Sequence, residues 1–219
     1  MAEDPIGVLL PYCGFLLIQA ICVALFTSAL PATSVSDFVL NGLFTWGVTM
    51  VVGSPLRALA IKWAGNQLGL STVLSTRMVS FYLAVLLSSA IQAVCLLLPV
   101  GLGIGISYWF AAHNNPTLAA IALGAGAFLG VIFWIFGRIL LAYAPAEALY
   151  GSNLGIMAIP NALSTVSRDP VGSIGIVTFA ELLSAVGTAT IILAPPSLAY
   201  LDLTLLYRWH QISEGSVSA

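Results

Sequence analysis

Apolar positions in this chain come in long unbroken runs. Residues 78–137 contain no Asp, Glu, Lys or Arg, far more than the roughly 20 apolar residues needed to cross a hydrocarbon core, so at least two crossings lie in that run. Backbone groups in lipid must be bonded within a helix or a closed barrel, and the runs lack the alternating polar positions of barrel strands. The pattern therefore predicts an all-α fold, a polytopic transmembrane helical bundle of five or six spans forming a single domain. The first run is too long for the apolar core of a signal peptide. It follows Glu3 and Asp4 rather than a basic segment, so it reads as a retained span.

The spans fall at about residues 7–30, 38–54, 79–98, 117–138 and 172–192, with a short sixth at 197–209. Pro31 and the polar string after it close the first. Pro55 opens a mixed segment, residues 56–77, in which Arg57, Lys62, Trp63 and Arg77 are interleaved with leucines, the composition of a helix lying in the membrane interface. A continuous helix over residues 79–112 would be about 51 Å long, so a break is expected at Pro99 with Gly101, Gly103 and Gly105. His113 to Pro116 reads as a tight turn. Residues 145–170 form a second amphipathic segment, and Pro195-Pro196 precedes the last stretch, which at 13 residues spans only about 20 Å. Its length favours five crossings and the charge distribution favours six. Pro55 and Pro145, and the Leu-Ser-Thr strings at Leu74 and Leu163, lie about 90 residues apart, the spacing of a parallel internal repeat.

Composition sharpens this picture. The chain is 60% hydrophobic and 6% charged with a mean hydropathy of +1.06, against about 25% charged in soluble domains. Arg57, Lys62, Arg77, Arg138 and Arg168 all border segments on one side of the bundle, so the positive-inside rule places that side and the N-terminus in the cytoplasm of a prokaryotic plasma membrane. Arg208 joins them if the last helix crosses. Six basic residues and a net charge of −2 leave no patch for nucleic acid. The expected partners are the lipid bilayer, other membrane proteins, or a second copy through Gly126 and Gly130, a small-xxx-small pair suited to close helix approach and better suited here to packing within the chain than to a dimer face.

Candidate chemistry is sparse. Cys13, Cys22 and Cys95 lie in apolar runs without metal-ligand spacing. His113 and His210 have no neighbouring nucleophile or acidic pair. No phosphate-loop motif occurs, and Gly101, Gly103 and Gly105 follow no strand. No catalytic, cofactor-binding or metal residue is expected. Ionisable groups inside spans are functional candidates by default, which singles out Glu181 and Asp202, with Arg138 or Arg208 as pairing partners. Gln19, Asn41 and Gln92 suit interhelical hydrogen bonds.

The run from Arg138 through Tyr143, Pro145 and Glu147 to Gly151, continuing to Ala162-Leu163-Ser164 and closing with Tyr200-Leu201-Asp202-Leu203, resembles the membrane domain attached to some bacterial glycerophosphodiester phosphodiesterases and related stand-alone membrane proteins of bacteria and haloarchaea. In that family an Arg commonly follows the Tyr-x-Asp-Leu; here Thr204 and Leu205 follow, and the basic position comes only at Arg208. The resemblance implies a membrane domain without the soluble phosphodiesterase barrel, and no catalytic residue carries over. Three readings follow: a non-enzymatic membrane protein with a scaffolding, regulatory or membrane-organising role; a transporter or permease subunit for a small molecule; and a membrane-embedded lipid enzyme.

Overall fold

The computed structural model describes residues 5–29, 35–151, 155–188 and 193–215. These form eight α-helices and one turn of 3-10 helix at Gly155–Met157, with no strand among the described residues. The helices are α1 (Pro5–Ala29), α2 (Val35–Gln67), α3 (Leu74–Ala112), α4 (Pro116–Leu141), α5 (Ala144–Tyr150), α6 (Ala158–Arg168), α7 (Pro170–Thr188) and α8 (Ala194–Gly215). Two stretches are long and apolar enough to cross a membrane, α3 and Pro116–Tyr150. The turn expected after Leu30 and the end of the fifth span at 189–192 lie outside the described residues.

Two expected breaks do not occur. The segment after Pro55 is not a separate interfacial helix, because α2 runs through Pro55 to Gln67. A proline inside a helix frees the carbonyl four residues earlier, here that of Val51, and the Tyr82 hydroxyl of α3 donates to that oxygen at 2.5 Å. Nor is the segment interfacial in its packing. Ala58, Ile61 and Ala64 are buried in the main core with Phe81, Leu149 and Leu206, while Trp63, Asn66 and Gln67 face outward. The helix ends at Gln67, and the turn after it passes through Gly69, whose φ of +75° is readily adopted only by glycine. Likewise α3 continues through Pro99 for 39 residues, about 58 Å.

Of the glycines after Pro99, Gly103 serves packing instead, while Gly101 and Gly105 face open space. A Cβ on Gly126 would lie 2.7 Å from Gly103 Cα and 2.8 Å from the Pro99 carbonyl, and one on Gly130 would lie 2.9 Å from the Leu96 carbonyl. Gly126 and Gly130 thus bring α4 against α3 within the chain, an intramolecular use of the small-residue pair. The turn joining the two helices has Asn114 at φ 57°, and the Asn115 side chain accepts from Leu118 N–H at 3.2 Å, capping α4 ahead of Pro116.

The second amphipathic segment resolves into α5, the 3-10 turn and α6. On α6, Ala158, Ile159, Ala162, Thr165 and Val166 are buried and Pro160, Leu163, Ser164 and Ser167 exposed, a one-sided helical stripe. The last helix is longer than expected. Pro195 and Pro196 fall in the first turn of α8, where a missing N–H breaks no helical bond, and the helix continues to Gly215 for 22 residues. It packs back along α7, with Arg208 paired to Asp169 at the start of α7.

The ends of α2, α4 and α8, the starts of α3 and α7, and the short helices α5 and α6 meet at one base. Tyr150 donates to the Ile61 carbonyl at 3.1 Å, Thr72 to the Leu149 carbonyl at 2.9 Å, and Gly155 N–H to Ser80 Oγ at 2.7 Å. The outer halves of α3 and α4 extend from this base as a hairpin.

Candidate functional site

The buried charges of the described residues gather in and just above the base, each tying helices together. Asp202 on α8 is 6% exposed. It accepts from Arg57 Nε at 2.9 Å and Arg57 Nη2 at 2.6 Å on its two oxygens, and from the Tyr12 hydroxyl at 2.5 Å. The forked pair is the strong geometry for guanidinium and carboxylate, and the cluster joins α1, α2 and α8. Glu181 on α7 pairs with Arg138 on α4, whose guanidinium also lies over the Trp134 ring at 5.9 Å from its centroid. Both side chains keep more than a quarter of their surface. Asp169, paired with Arg208, also accepts from Gly172 N–H at 3.1 Å and so caps α7.

A second buried acid besides Asp202, Glu147 on α5, pairs with no cation among the described residues. One of its oxygens accepts from Thr165 Oγ at 2.7 Å and from Trp209 Nε1 at 2.8 Å, linking α5, α6 and α8.

Between the first two pairs lies a cavity of about 40 Å3 whose polar walls are Arg57, Ser88, Ser89, Gln92, Arg138 and Glu181. At roughly 10–15 Å3 per water it takes about three or four waters. Two of the buried donors at this site, Ser88 Oγ and Arg138 Nε, have no hydrogen-bond partner. Behind the Arg138–Glu181 pair, on the outer side of α4 and α7, is an apolar groove of about 200 Å3 lined by Trp134, Ile135, Val177, Thr178 and Leu182 together with the pair itself. The ion pair is therefore the partition between a polar cavity and an apolar groove.

The structure brings Glu181 and Arg138 together. It places Asp202 elsewhere: its partner is Arg57, not Arg138 or Arg208, because α2 continues past Pro55 and carries Arg57 into the bundle. Arg57, Tyr12, Ser88 and the Glu147–Trp209 contact were not singled out from sequence. A signal for two of them exists. Pro55-Leu56-Arg57-Ala58-Leu59 and Pro145-Ala146-Glu147-Ala148-Leu149 share a pattern at the 90-residue offset, so the prolines that suggested a repeat also mark two buried charges. Both reach α8, at Asp202 and Trp209, two helical turns apart.

The histidines stand apart from this site. His113 at the hairpin turn is 2.8 Å from the Trp109 carbonyl through Nδ1, and His210 lies 3.4 Å from Glu214. Among the described residues no group of three or more His, Cys, Asp and Glu is placed to hold a metal. Comparison of the chain with protein-family models, with curated proteins and with solved structures finds no match.

Proposed function

We propose that the chain is a multi-pass integral membrane protein of a prokaryotic plasma membrane, and that it acts without catalysis by holding lipid or protein neighbours in the membrane. The observation that carries this reading is the outward face of α3 and α4. Leu97, Leu102, Ile106, Phe128 and Phe133 are each about half or more exposed, a patch far beyond what soluble monomers leave in water, while the buried acids are engaged in contacts between helices. The 22 residues of α8, about 33 Å, are long enough for a sixth crossing and support that count. We take α1, α2, α3, α4, α7 and α8 as the spans, with both termini and the basic residues cytoplasmic.

The test is a carbonate wash of membranes combined with thiol labelling of Ser218→Cys in a Cys-free background. Retention in the pellet, with labelling by an impermeant reagent only after lysis, is expected. Release by carbonate overturns the membrane reading, and labelling on intact cells overturns the sixth crossing and the cytoplasmic C-terminus.

A transport role is the second reading, favoured by one feature: the Arg138–Glu181 pair bordering a polar cavity within the bundle. Glu181→Gln and Asp202→Asn variants that leave every transport or proton-coupled phenotype unchanged would remove its support. The likeness to the membrane domains of glycerophosphodiester phosphodiesterases stays with these proposals. Of the residues that carry it, Arg138 and Pro145 line the cavity and Asp202 anchors Arg57. A lipid enzyme is the third reading, and purified protein that turns over neither phospholipid nor glycerophosphodiester argues against it.

A further inference from the structure

The groove between α4 and α7 and the cavity behind it have opposite chemistry and share one wall. An apolar chain fits the first. The second is rich in donors: Ser88 Oγ and Arg138 Nε are buried without partners, and the Gln92 amide and the Arg57 guanidinium line the same space. Its only acidic lining residue, Glu181, is already paired to Arg138. Unsatisfied donors beside a guanidinium call for an acceptor carrying negative charge. Ser88, at 7% exposure, is closed to bulk solvent, so water or a ligand must reach it through the cavity.

We propose that groove and cavity together form one site for an anionic lipid, its acyl chain in the α4–α7 groove along Val177 and Leu182 and its phosphate group at Arg138 and Ser88. This rests on the membrane reading above and adds a ligand class to it. The headgroup competes with Glu181 for Arg138, so the ion pair acts as the latch of the site. Neutralising Glu181 therefore strengthens binding and neutralising Arg138 weakens it.

Trp134 lines the groove and supplies the readout. Purified protein in detergent is titrated with phosphatidylglycerol or phosphatidylcholine carrying brominated chains, and the Trp134 component of the fluorescence is taken as the difference from a Trp134→Phe variant. The expected result is quenching at about tenfold lower phosphatidylglycerol than phosphatidylcholine, the scale of one charge-assisted contact. Glu181→Gln should widen that ratio, Ser88→Ala narrow it, and Arg138→Gln abolish it. Because Arg138→Gln strands Glu181, the double variant R138Q/E181Q is measured beside it and should also show no preference.

Equal quenching by both lipids overturns the proposal while leaving the membrane reading intact, since that reading fails only by carbonate release. Full displacement of brominated phosphatidylglycerol by millimolar inorganic phosphate makes this a free-anion site and overturns the lipid assignment.

Discussion

The base of the bundle and the outer hairpin of α3 and α4 are built from the same apolar vocabulary and use it in opposite directions. In the base, Phe81, Tyr143, Leu149 and Leu206 point inward and are almost wholly buried, and the acids Glu147 and Asp202 are buried with them. In the hairpin Gly103, Gly126 and Gly130 point inward, and the large residues, Leu102 and Phe128 among them, point out. Between them the two regions show that high hydropathy alone does not locate a core. Where a bundle is held by polar contacts, large side chains fill its interior; where it is held by backbone approach, small residues do, and the large ones are left on the outer face.

Substitutions can break this contrast. The largest effect is expected from Asp202→Ala, which strands the Arg57 guanidinium and the Tyr12 hydroxyl inside the bundle. A loss of about 3–5 kcal/mol, read from the unfolding midpoint in detergent, would leave little folded protein, whereas an unchanged midpoint would show that the α1–α2–α8 cluster contributes nothing. Next comes Trp209→Phe, which keeps an aromatic side chain, though a smaller one, and removes the donor to Glu147. About 1.5–3 kcal/mol is expected for a hydrogen bond to a buried acid, and combining it with Thr165→Val should give a non-additive pair if both donors serve the same oxygen.

In the hairpin, Gly126→Ala should cost about 1–3 kcal/mol by forcing α4 off α3. Crosslinking between cysteines placed on the two helices checks whether that spacing grows. The smallest effect belongs to the outward face: Leu102→Ala should shift the midpoint by less than about 0.5 kcal/mol. A shift as large as that of Gly126→Ala would mean that Leu102 packs against protein rather than lipid.

Helix type, the hairpin turn at Asn114 and the amphipathic α6 were legible in the sequence, because each rests on local chemistry: uncharged runs, an Asn-Pro turn, and a helical stripe of apolar residues. Continuity was not legible at Pro55 and Pro99. A proline reads as a break when the helix is considered alone, and what sustains α2 at Pro55 is a hydroxyl from another helix, 31 residues beyond the freed Val51 carbonyl. The site was half legible for the same reason. Which acid meets which arginine is open in the sequence, but Glu181, Asp202, Arg138 and Arg208 could be named as candidate partners because each is conspicuous in its own span. Arg57 could not, since a basic residue among tryptophan and leucine also suits the membrane surface, and only the uninterrupted α2 brings it to Asp202, 145 residues away.

The bond from Tyr82 to the Val51 carbonyl makes the order of mutations matter. Tyr82→Phe on its own leaves a carbonyl orphaned beside an apolar face. After Pro55→Ala, which restores the N–H that a helix normally aims at that oxygen, the same change becomes nearly silent. The two positions are thus epistatic, so descendants of this chain that lose the proline first are free to lose the tyrosine, and those that lose the tyrosine first face a less stable intermediate.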